Sequence, residues 1–352
     1  MVLSYYLLKI PYTVIWEVRE LLNLNKDVML YCANALDYQI FTPVQKHLPP
    51  LKVIAKDKKA QQELAAIGVK SKVYPVFPKG VIMCRQAGYK FPASRMKKVG
   101  MRHGAYTFKP FANTKGYNLL DHFYMTSSRE VERAEAVGIT CARAVGFPKL
   151  DPMFDGSVDD SQLQTLAQNA GLDDNKPTLL FTATWNDSGV SAISHWYDKL
   201  AGLTADYNIL VTVHPWTKDE IKQTIKNTPQ VFFIDTADIV PYIQLADVCI
   251  GDTSSVLAEC CALEKDMVTF AVDDGKRTVQ EVKQLIKEFS IQIDSFDQLQ
   301  DAIKQALTRP QHLAQARDKA NKIMFDQLDG KAGLRAANYL KELFPQLNQT
   351  KN

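Results

Sequence analysis

The chain of 352 residues lacks both the GxGxxG fingerprint of dinucleotide-binding folds and the Walker GxxxxGK[ST] loop. Both motifs form a phosphate-binding turn between a strand and a helix, so nicotinamide chemistry and P-loop ATP hydrolysis are unsupported. Histidine, cysteine and acidic residues nowhere show the spacing of metal ligands. We therefore expect no metal and no other cofactor.

Cysteine is scarce, and none of the six residues has CxxC spacing. Cys260 and Cys261 are adjacent, and several of the others lie inside apolar runs, where cysteine behaves as a small hydrophobic residue. This usage is typical of a reducing compartment and predicts a cytoplasmic protein.

Long hydrophobic runs are absent as well. The first 18 residues are apolar and aromatic, but Lys9 and Pro11 interrupt them well short of the ~20 residues that a membrane-spanning helix needs. A basic leader and a small-residue cleavage site are missing, so the segment is a poor signal peptide. It is either a buried first helix or an interfacial segment. In the interfacial case four aromatic side chains would lie at headgroup level: Tyr5, Tyr6, Tyr12 and Trp16.

The net charge is only +3, so bulk charge does not indicate a nucleic-acid binder. Basic residues are nevertheless concentrated between positions 52 and 72 and between 79 and 115. A single lysine is most simply a solvated surface residue. Together, the two clusters favour an acidic partner, such as a phosphate polymer, an anionic lipid or a nucleotide.

Strand patterns alternate with helix patterns along both halves of the chain, which predicts parallel sheets with helices on both faces. A polar, acidic stretch at 151–174 separates the halves. We predict an α/β protein with two Rossmann-like, doubly wound domains that face a cleft. The N-terminal, acceptor-side domain would cover 1–155 and the C-terminal, nucleotide-donor domain 156–352. Further predictions include a helix over 192–203 and a capping box that begins at Thr217.

The sequence VCIGDTSSVLAECCAL at 248–263 reads as a strand, a tight turn and a helix. The unpaired N–H groups at the start of a helix attract phosphate, and three hydroxyls there would add donors. The simpler explanation is an ordinary N-cap. One turn into the helix, Glu259 could bind a ribose hydroxyl, or it could be an exposed helical carboxylate. The predicted donor-binding residues of this stretch are Asp252, Thr253, Ser254, Ser255 and Glu259.

Three further strand ends carry chemically suggestive groups: His103-Gly104, the segment around Thr184, and His214. A histidine has an ordinary pKa of about 6.5, so neutral His103 could act as a general base. Gly104 would let the backbone approach a ligand closely. His214 could donate to a phosphate oxygen. A lone histidine is more often held in a loop by hydrogen bonds, and only the convergence of several strand ends favours catalysis.

In chain order these motifs resemble the CDP-glycerol glycerophosphotransferase family, which includes the teichoic-acid primases and polymerases and has a GT-B-like catalytic domain. The resemblance covers roughly residues 70 to 290. It implies that His103 is the base on the acceptor hydroxyl, that His214 binds the donor phosphates, and that Asp252 orients the hydroxyl-rich loop. Its five motifs are His103-Gly104, GFPKLD (146–151), LLFTATWND (179–187), TVHPW (212–216) and GDTSSVLAE (251–259).

The sequence departs from the family pattern at several positions. Lys149, Asn186 and Thr253 stand where the family has arginine, arginine and tyrosine, and the residues at 105–110 differ from the usual Thr-Pro and Lys-rich turn. Lysine at position 149 loses the planar fork of arginine. These changes concern the regions where the donor tail or the acceptor would bind.

The resemblance implies a transferase of cell-envelope polymer synthesis, as in teichoic-acid-like or capsule assembly. It would move glycerol phosphate, or a related polyol-phosphate or sugar unit, from CDP-glycerol or a similar donor to a lipid-linked or polymer hydroxyl. We expect a cytoplasmic protein, peripheral at the inner face of an anionic membrane, without a nucleic-acid partner. The alternatives are a UDP-sugar-using GT-B glycosyltransferase, a nucleotide-sugar 2-epimerase and a non-catalytic binder of anionic polymer.

Overall fold

The computed structural model describes residues 3–106, 110–236, 238–274 and 279–348. The chain forms two compact units. The first consists of Met1–His103, Phe111–Phe154 and Leu328–Asn352, and the second of Gly104–Pro110 and Asp155–Gln327.

The elements follow one another as the alternating sequence patterns predict. The strands are β1 Val28–Cys32, β2 Lys52–Ala55, β3 Ser71–Val73, β4 Gly80–Met83, β5 Lys97–Met101, β6 His122–Met125, β7 Ala142–Ala144, β8 Thr178–Ala183, β9 Asn208–Val213, β10 Val231–Phe233, β11 Val248–Gly251, β12 Asp266–Phe270 and β13 Ile291–Ile293. The α-helices are α1 Leu3–Leu21, α2 Ala35–Gln45, α3 Lys58–Ala66, α4 Thr114–Tyr117, α5 Ser128–Glu135, α6 Asp160–Asn169, α7 Asp219–Lys226, α8 Val240–Leu245, α9 Val256–Ala262, α10 Gln280–Phe289, α11 Leu299–Leu307, α12 Gln311–Phe325 and α13 Ala332–Leu343.

Each unit contains one parallel sheet. The first has the order β3-β2-β1-β4-β5-β6-β7 and the second the order β10-β9-β8-β11-β12-β13. Central strands such as β1 and β8 are buried along their whole length, which explains why they read as unbroken apolar runs. The strand order reverses beside β1 and β8, and ligands of doubly wound folds bind at such switch points, beyond the carboxyl ends of the strands. The predicted fold class is confirmed.

The C-terminal segment packs on the first unit. The Asp151 carboxylate accepts hydrogen bonds from the backbone N–H groups of Ala332 (3.1 Å) and Gly333 (2.6 Å) at the start of α13. A methyl group on Gly333 would lie 2.6 Å from the Pro43 carbonyl oxygen. The backbones of α13 and α2 are therefore in direct contact at this glycine. The predicted domains, 1–155 and 156–352, assigned this C-terminal segment to the second domain. The division of the structure into units places Leu328–Asn352 in the first unit instead.

Helix α1 buries Tyr12 and Trp16. Trp16 donates to the Pro78 carbonyl and Tyr12 to the Val76 carbonyl, both at 2.7 Å, and both side chains are in the core. The proposed headgroup position of these two residues is therefore wrong, because they anchor the helix to the sheet. The side chains of Tyr5 and Tyr6 lie outside the described part of the chain.

Two local predictions fail in the second unit. The predicted helix over 192–203 contains only short 3₁₀ turns, although Ile193, Trp196 and Leu200 are buried at helix-like spacing. A buried Asp252 oxygen binds the Ala192 amide and fixes the start of this segment. Thr217 does not cap α7, because the helix begins at Asp219 after Lys218, which makes no side-chain cap bond.

All six cysteines are reduced and buried. Burial raises the thiol pKa of Cys141 to about 11, and it also raises those of Cys32 and Cys84. Thiols held neutral in this way are poor nucleophiles and pack as apolar side chains.

Helices that are both long and apolar enough to cross a membrane are absent from the described residues.

Candidate active site

Three neighbouring strands of the second unit end beside one another. β9 pairs with β8 through Val213 and Ala183, and β8 pairs with β11 through Phe181 and Ile250. Continued past the strand ends, the same register places His214, Thr184 and the loop after Gly251 side by side. The fold thus brings together the predicted donor-binding residues of these three strand ends.

Asp252 organises this loop. Its side chain is only 1% exposed. Its carboxylate accepts from the amide (3.0 Å) and hydroxyl (2.9 Å) of Thr184, from the amides of Ala192 and Ser254 (both 3.0 Å), and from the Thr253 amide. Burial raises its pKa, and these hydrogen bonds oppose that shift. Asp252 and Thr184 therefore hold the loop in shape from within.

The hydroxyls at the start of α9 have different partners. Thr253 Oγ1 lies 3.4 Å from the Val190 carbonyl oxygen, and Ser254 Oγ accepts weakly from the Val256 amide at 3.3 Å. Ser255 occupies the N-cap position and makes no side-chain cap bond. The predicted capping function thus falls to Ser254, and Ser255 is not needed for it.

Gly104 lies directly against this loop. A methyl group at position 104 would be 3.0 Å from Ser255 Oγ, closer than an ordinary van der Waals contact. Both residues belong to the second unit, and His103 precedes Gly104 in the chain. The neighbour that the structure shows for Gly104 is the Ser255 hydroxyl, and a close approach to a ligand stays a prediction.

His214 is oriented by its own turn. Its Nδ1 accepts from the Trp216 amide at 3.1 Å, which places the proton of the neutral ring on Nε2. Trp216 is 71% exposed and packs edge-on against both His214 (5.2 Å) and Trp185 (5.6 Å). Trp216 was not among the predicted site residues, although its position in the TVHPW motif could have indicated it.

Glu259 is buried, with 3% exposure, between other buried residues of α9. The alternative of an exposed helical carboxylate is therefore wrong. A contact between Glu259 and a ribose hydroxyl remains a prediction.

In the first unit, His103 is exposed just beyond the end of β5. The preceding residue, Arg102, forms an ion pair with the buried carboxylate of Glu130, with Nε and Oε1 3.3 Å apart. Arg102 thereby anchors the backbone immediately before the predicted base.

A second arginine at the same edge of the sheet was missed. Arg85 follows β4 and binds the buried carboxylate of Asp37 through Nε (2.8 Å) and Nη2. Burial raises the pKa of Asp37, while Arg85 acts to lower it. Sequence reasoning counted Arg85 only as part of a basic cluster, although its place directly after a strand could have indicated a site residue.

Within the described residues, no three His, Cys, Asp or Glu side chains are grouped as metal ligands would be.

Comparison with known proteins identifies the family. The profile of the CDP-Glycerol:Poly(glycerophosphate) glycerophosphotransferase family matches residues 96–342. The chain belongs to this family. The resemblance inferred from the five motifs is thus confirmed.

Two curated relatives of the chain are teichoic-acid polymerases. The ribitol-phosphate polymerase TarK of Staphylococcus aureus is 25% identical over 224 residues, which is 59% of this chain and 43% of TarK. The poly(ribitol-phosphate) polymerase of Bacillus spizizenii is 24% identical over 242 residues, 63% of this chain and 37% of that protein. The chain therefore spans less than half the length of these relatives.

Solved structures agree on the fold. The wall teichoic acid polymerase TagF, in its H548A form, superposes with a TM-score of 0.71 at 16% identity and covers 97% of this chain and 99% of that one. The UDP complex of S. aureus MnaA superposes with a TM-score of 0.63 at 12% identity and covers 93% and 99%. The chain therefore shares its fold with TagF and MnaA.

Proposed function

We propose that the chain is a transferase of cell-envelope polymer synthesis, which moves glycerol phosphate or a related polyol phosphate from a CDP-linked donor to a hydroxyl acceptor. The observation that carries this proposal is the contact between Gly104 and Ser255. Gly104 follows the predicted base His103 in the chain, and Ser255 belongs to the hydroxyl-rich start of α9. The contact therefore brings the backbone beside the base close to the predicted diphosphate-binding hydroxyls. One solved TagF variant was soaked with CDPG, which agrees with a CDP-linked donor in this family.

On the donor side, the Nε2–H of His214 and the hydroxyls of Thr253 and Ser255 bind the diphosphate. These donors neutralise the charge that develops on the departing nucleotide. Asp252 keeps them in place, since the loop amides point at its carboxylate. Preorganised donors of this kind need no rearrangement during the reaction.

On the acceptor side, neutral His103 takes the proton of the hydroxyl as its oxygen attacks the phosphorus of the transferred group. A new P–O bond forms, the bond to the bridging diphosphate oxygen breaks, and CMP leaves. The acceptor is a lipid-linked or polymeric polyol whose terminal hydroxyl is free.

The protein works on the cytoplasmic side of a membrane that presents anionic lipid, with α1 as the contact. Tyr12 and Trp16 fix one face of α1 to the sheet, so the opposite face is apolar and exposed. Beside it, Lys9 and Lys26 are exposed, while Glu17 and Glu20 are paired with Arg95 and Lys79. An exposed apolar face flanked by cations fits an interfacial helix at an anionic bilayer. The large apolar side chains exposed here are Leu8, Ile10, Val14, Ile15, Val18, Leu21, Leu22 and Leu24.

The test is CMP release from CDP-glycerol in the presence of a polyol-phosphate acceptor. His103→Ala should lower kcat by about 100-fold or more, which is the usual contribution of a general base. CDP-glycerol should still raise the Tm of this variant, because the donor-binding groups are intact. His312→Ala, which removes an exposed histidine from α12, serves as the control. Unchanged kcat in His103→Ala would refute the assignment of the base.

A second function is favoured by the superposition on MnaA and on an enzyme described as a putative UDP-N-acetylglucosamine 2-epimerase. An epimerase would convert UDP-N-acetylglucosamine without any acceptor, and a glycosyltransferase would release UDP. Incubation with each donor, with and without acceptor, separates these activities from CMP release. A non-catalytic polymer binder would show salt-sensitive polymer affinity that is indifferent to His214→Ala.

A further inference from the structure

The carboxyl-terminal edge of the first sheet holds two arginines, each tied to a fully buried carboxylate. Arg85 comes after β4 and pairs with Asp37 in the first turn of α2. Arg102 comes after β5 and pairs with Glu130 in the first turn of α5. Both carboxylates are 0% exposed, while the arginine side chains keep 28% and 14% of their surface accessible.

The contact between Asp37 and Arg85 fixes the guanidinium plane. Arg85 donates through Nε to Oδ2 at 2.8 Å and through Nη2 to Oδ1. Oδ2 also accepts from the Ala33 amide at 2.7 Å, and Asn34 Oδ1 accepts from the Asp37 amide. With Nε and Nη2 committed to the carboxylate, the two N–H bonds of Nη1 remain as further donors of a rigid fork.

Glu130 contacts Arg102 as an ion pair, without a hydrogen bond to its Nε. Its Oε2 accepts from the amide (3.0 Å) and the hydroxyl (3.2 Å) of Thr126, while Oε1 faces Arg102 Nε. The Ser127 hydroxyl caps α5 by accepting from the Glu130 amide at 3.1 Å. The carboxylate is therefore anchored by the end of β6 and the start of α5.

The two arginines follow neighbouring strands of the sheet. β4 and β5 pair in parallel, with Met83 opposite Gly100, and Arg85 and Arg102 follow the ends of these strands by two residues and one residue. The carboxyl ends of neighbouring parallel strands lie at the same edge of a sheet, about 4.8 Å apart at the backbone. A phosphate that reaches both guanidinium groups would accept several charge-assisted hydrogen bonds.

Stability alone does not explain this arrangement. Removing a carboxylate and a guanidinium from water costs about as much as their attraction returns, and apolar residues of similar size often serve a core equally well. A buried carboxylate does, however, fix the direction of a partly exposed guanidinium, as directional hydrogen bonding to a phosphate requires.

We propose that Arg85 and Arg102 form a subsite for a phosphodiester of the acceptor, the one nearest to the hydroxyl that His103 deprotonates. Arg102 and His103 are consecutive, with Cα atoms about 3.8 Å apart. The proposed subsite therefore adjoins the base at the same strand end. This inference rests on the proposed function and adds to it the residues that select a phosphorylated acceptor.

Two acceptors that differ only in the phosphodiester provide the test: glyceryl octyl phosphate and 1-O-octylglycerol. The measured quantity is kcat/KM for each acceptor from CMP release, with CDP-glycerol as donor. The wild-type protein should prefer the phosphodiester. Arg85→Gln should lower kcat/KM for the phosphodiester by about 10- to 100-fold, the usual effect of losing a hydrogen bond to a charged group. It should leave octylglycerol and the KM for CDP-glycerol nearly unchanged.

Further variants separate charge from geometry. Arg85→Lys keeps the charge and loses the fork, so its preference should be intermediate. Asp37→Asn leaves the guanidinium but weakens its orientation, and it should also lower the preference. Lys97→Gln is the matched control, because it removes a cation paired with Asp121 at the opposite end of β5. A preference that survives Arg85→Gln, or falls equally in Lys97→Gln, would overturn the proposal.

Folding must be checked, since Arg85→Gln leaves Asp37 buried without its partner. The double variant Arg85→Gln/Asp37→Asn removes both charges, and its acceptor preference decides the matter if the single variant unfolds. Thermal shift with glyceryl octyl phosphate alone provides a readout without turnover. Suppose that the wild-type protein transfers no glycerol phosphate, but the phosphodiester raises its Tm and leaves the Tm of the double variant unchanged. The subsite is then supported, while the proposed function is refuted. If the wild-type Tm also stays constant, the subsite is refuted.

Discussion

At the scale of single residues, Asp252 shows how one buried carboxylate can shape a binding loop. Its oxygens gather amides from the ends of two strands and from the segment that follows β8. Its place in GDTSS predicted Asp252 as a site residue, and the family resemblance implied the orienting role. The partners could not be predicted, because Ala192 and Thr184 are 60 and 68 residues away in the chain.

The substitution Asp252→Ala should both lower the free energy of unfolding and weaken donor binding. The substitution leaves several buried N–H groups without an acceptor, at a cost of about 1–3 kcal/mol for each unsatisfied group. Urea unfolding measures the loss of stability, and the KM for CDP-glycerol measures the loss of binding. Asp235→Ala, at an exposed ion pair with Lys226, should change neither. A stable Asp252→Ala variant with normal KM would contradict the orienting role.

His122 provides a pH prediction. Burial, followed by the charge of Arg143, lowers its pKa below the ordinary 6.5. Just below pH 6.5 the unfolded chain therefore binds more protons than the folded one, so stability is lost as the pH falls through this range. Asp121 and Glu342 oppose the shift, and Lys97 adds to it.

His122→Gln should flatten that part of the stability curve. The measurement is the free energy of unfolding in urea between pH 7 and pH 5, compared with wild type. The difference between the two pH values should be smaller in the variant, because the group that gains a proton on unfolding is gone. An identical slope in both proteins would show that His122 titrates normally.

At the scale of secondary-structure elements, α1 has two opposite faces. Trp16 is 1% exposed and hydrogen-bonded to the Pro78 carbonyl, whereas Val14 and Val18 are 56% and 49% exposed. The sequence showed only that the segment is apolar and aromatic. Its division into two faces depends on where β4 and the preceding loop lie.

Substitutions on the two faces of α1 should therefore have separable effects. Val14→Ser/Val18→Ser should reduce binding to vesicles that contain phosphatidylglycerol by several-fold, because apolar area that would enter the bilayer is lost. Its urea unfolding should match wild type. Trp16→Ala should instead destabilise the fold by about 3–5 kcal/mol, the usual cost of truncating a buried tryptophan. Co-sedimentation with vesicles measures the first effect, and equal sedimentation of the serine variant and wild type would exclude α1 as the contact.

At the scale of the whole molecule, the C-terminal segment belongs to the first unit. Gly333 makes this possible, because its missing side chain lets α13 approach the backbone of α2. The Asp151 carboxylate then binds the first amides of α13, in the manner of a helix cap.

Gly333→Ala should weaken this packing, since the added methyl group would lie 2.6 Å from the Pro43 oxygen. We expect a loss of about 1–3 kcal/mol, the range for overpacking a tight contact. Gly202→Ala is the control, because a methyl group there meets no atom within 4 Å. Differential scanning calorimetry should show a lower Tm for the first variant and a nearly unchanged Tm for the second. Equal Tm values would mean that α13 does not depend on this contact.

The sequence by itself determined the alternation of strands and helices, the two sheets and the strand ends that carry the candidate site. These features follow from local burial patterns and from residue types that stand together in the chain, such as GDTSS. Only the tertiary structure decided that α13 joins the first unit, that Trp16 is buried, and that Arg85 is held by Asp37. Each of these depends on groups far apart in sequence, 48 residues in the case of Arg85 and Asp37. A single sequence contains no signal for such pairs, because their meeting is set by how complete elements pack.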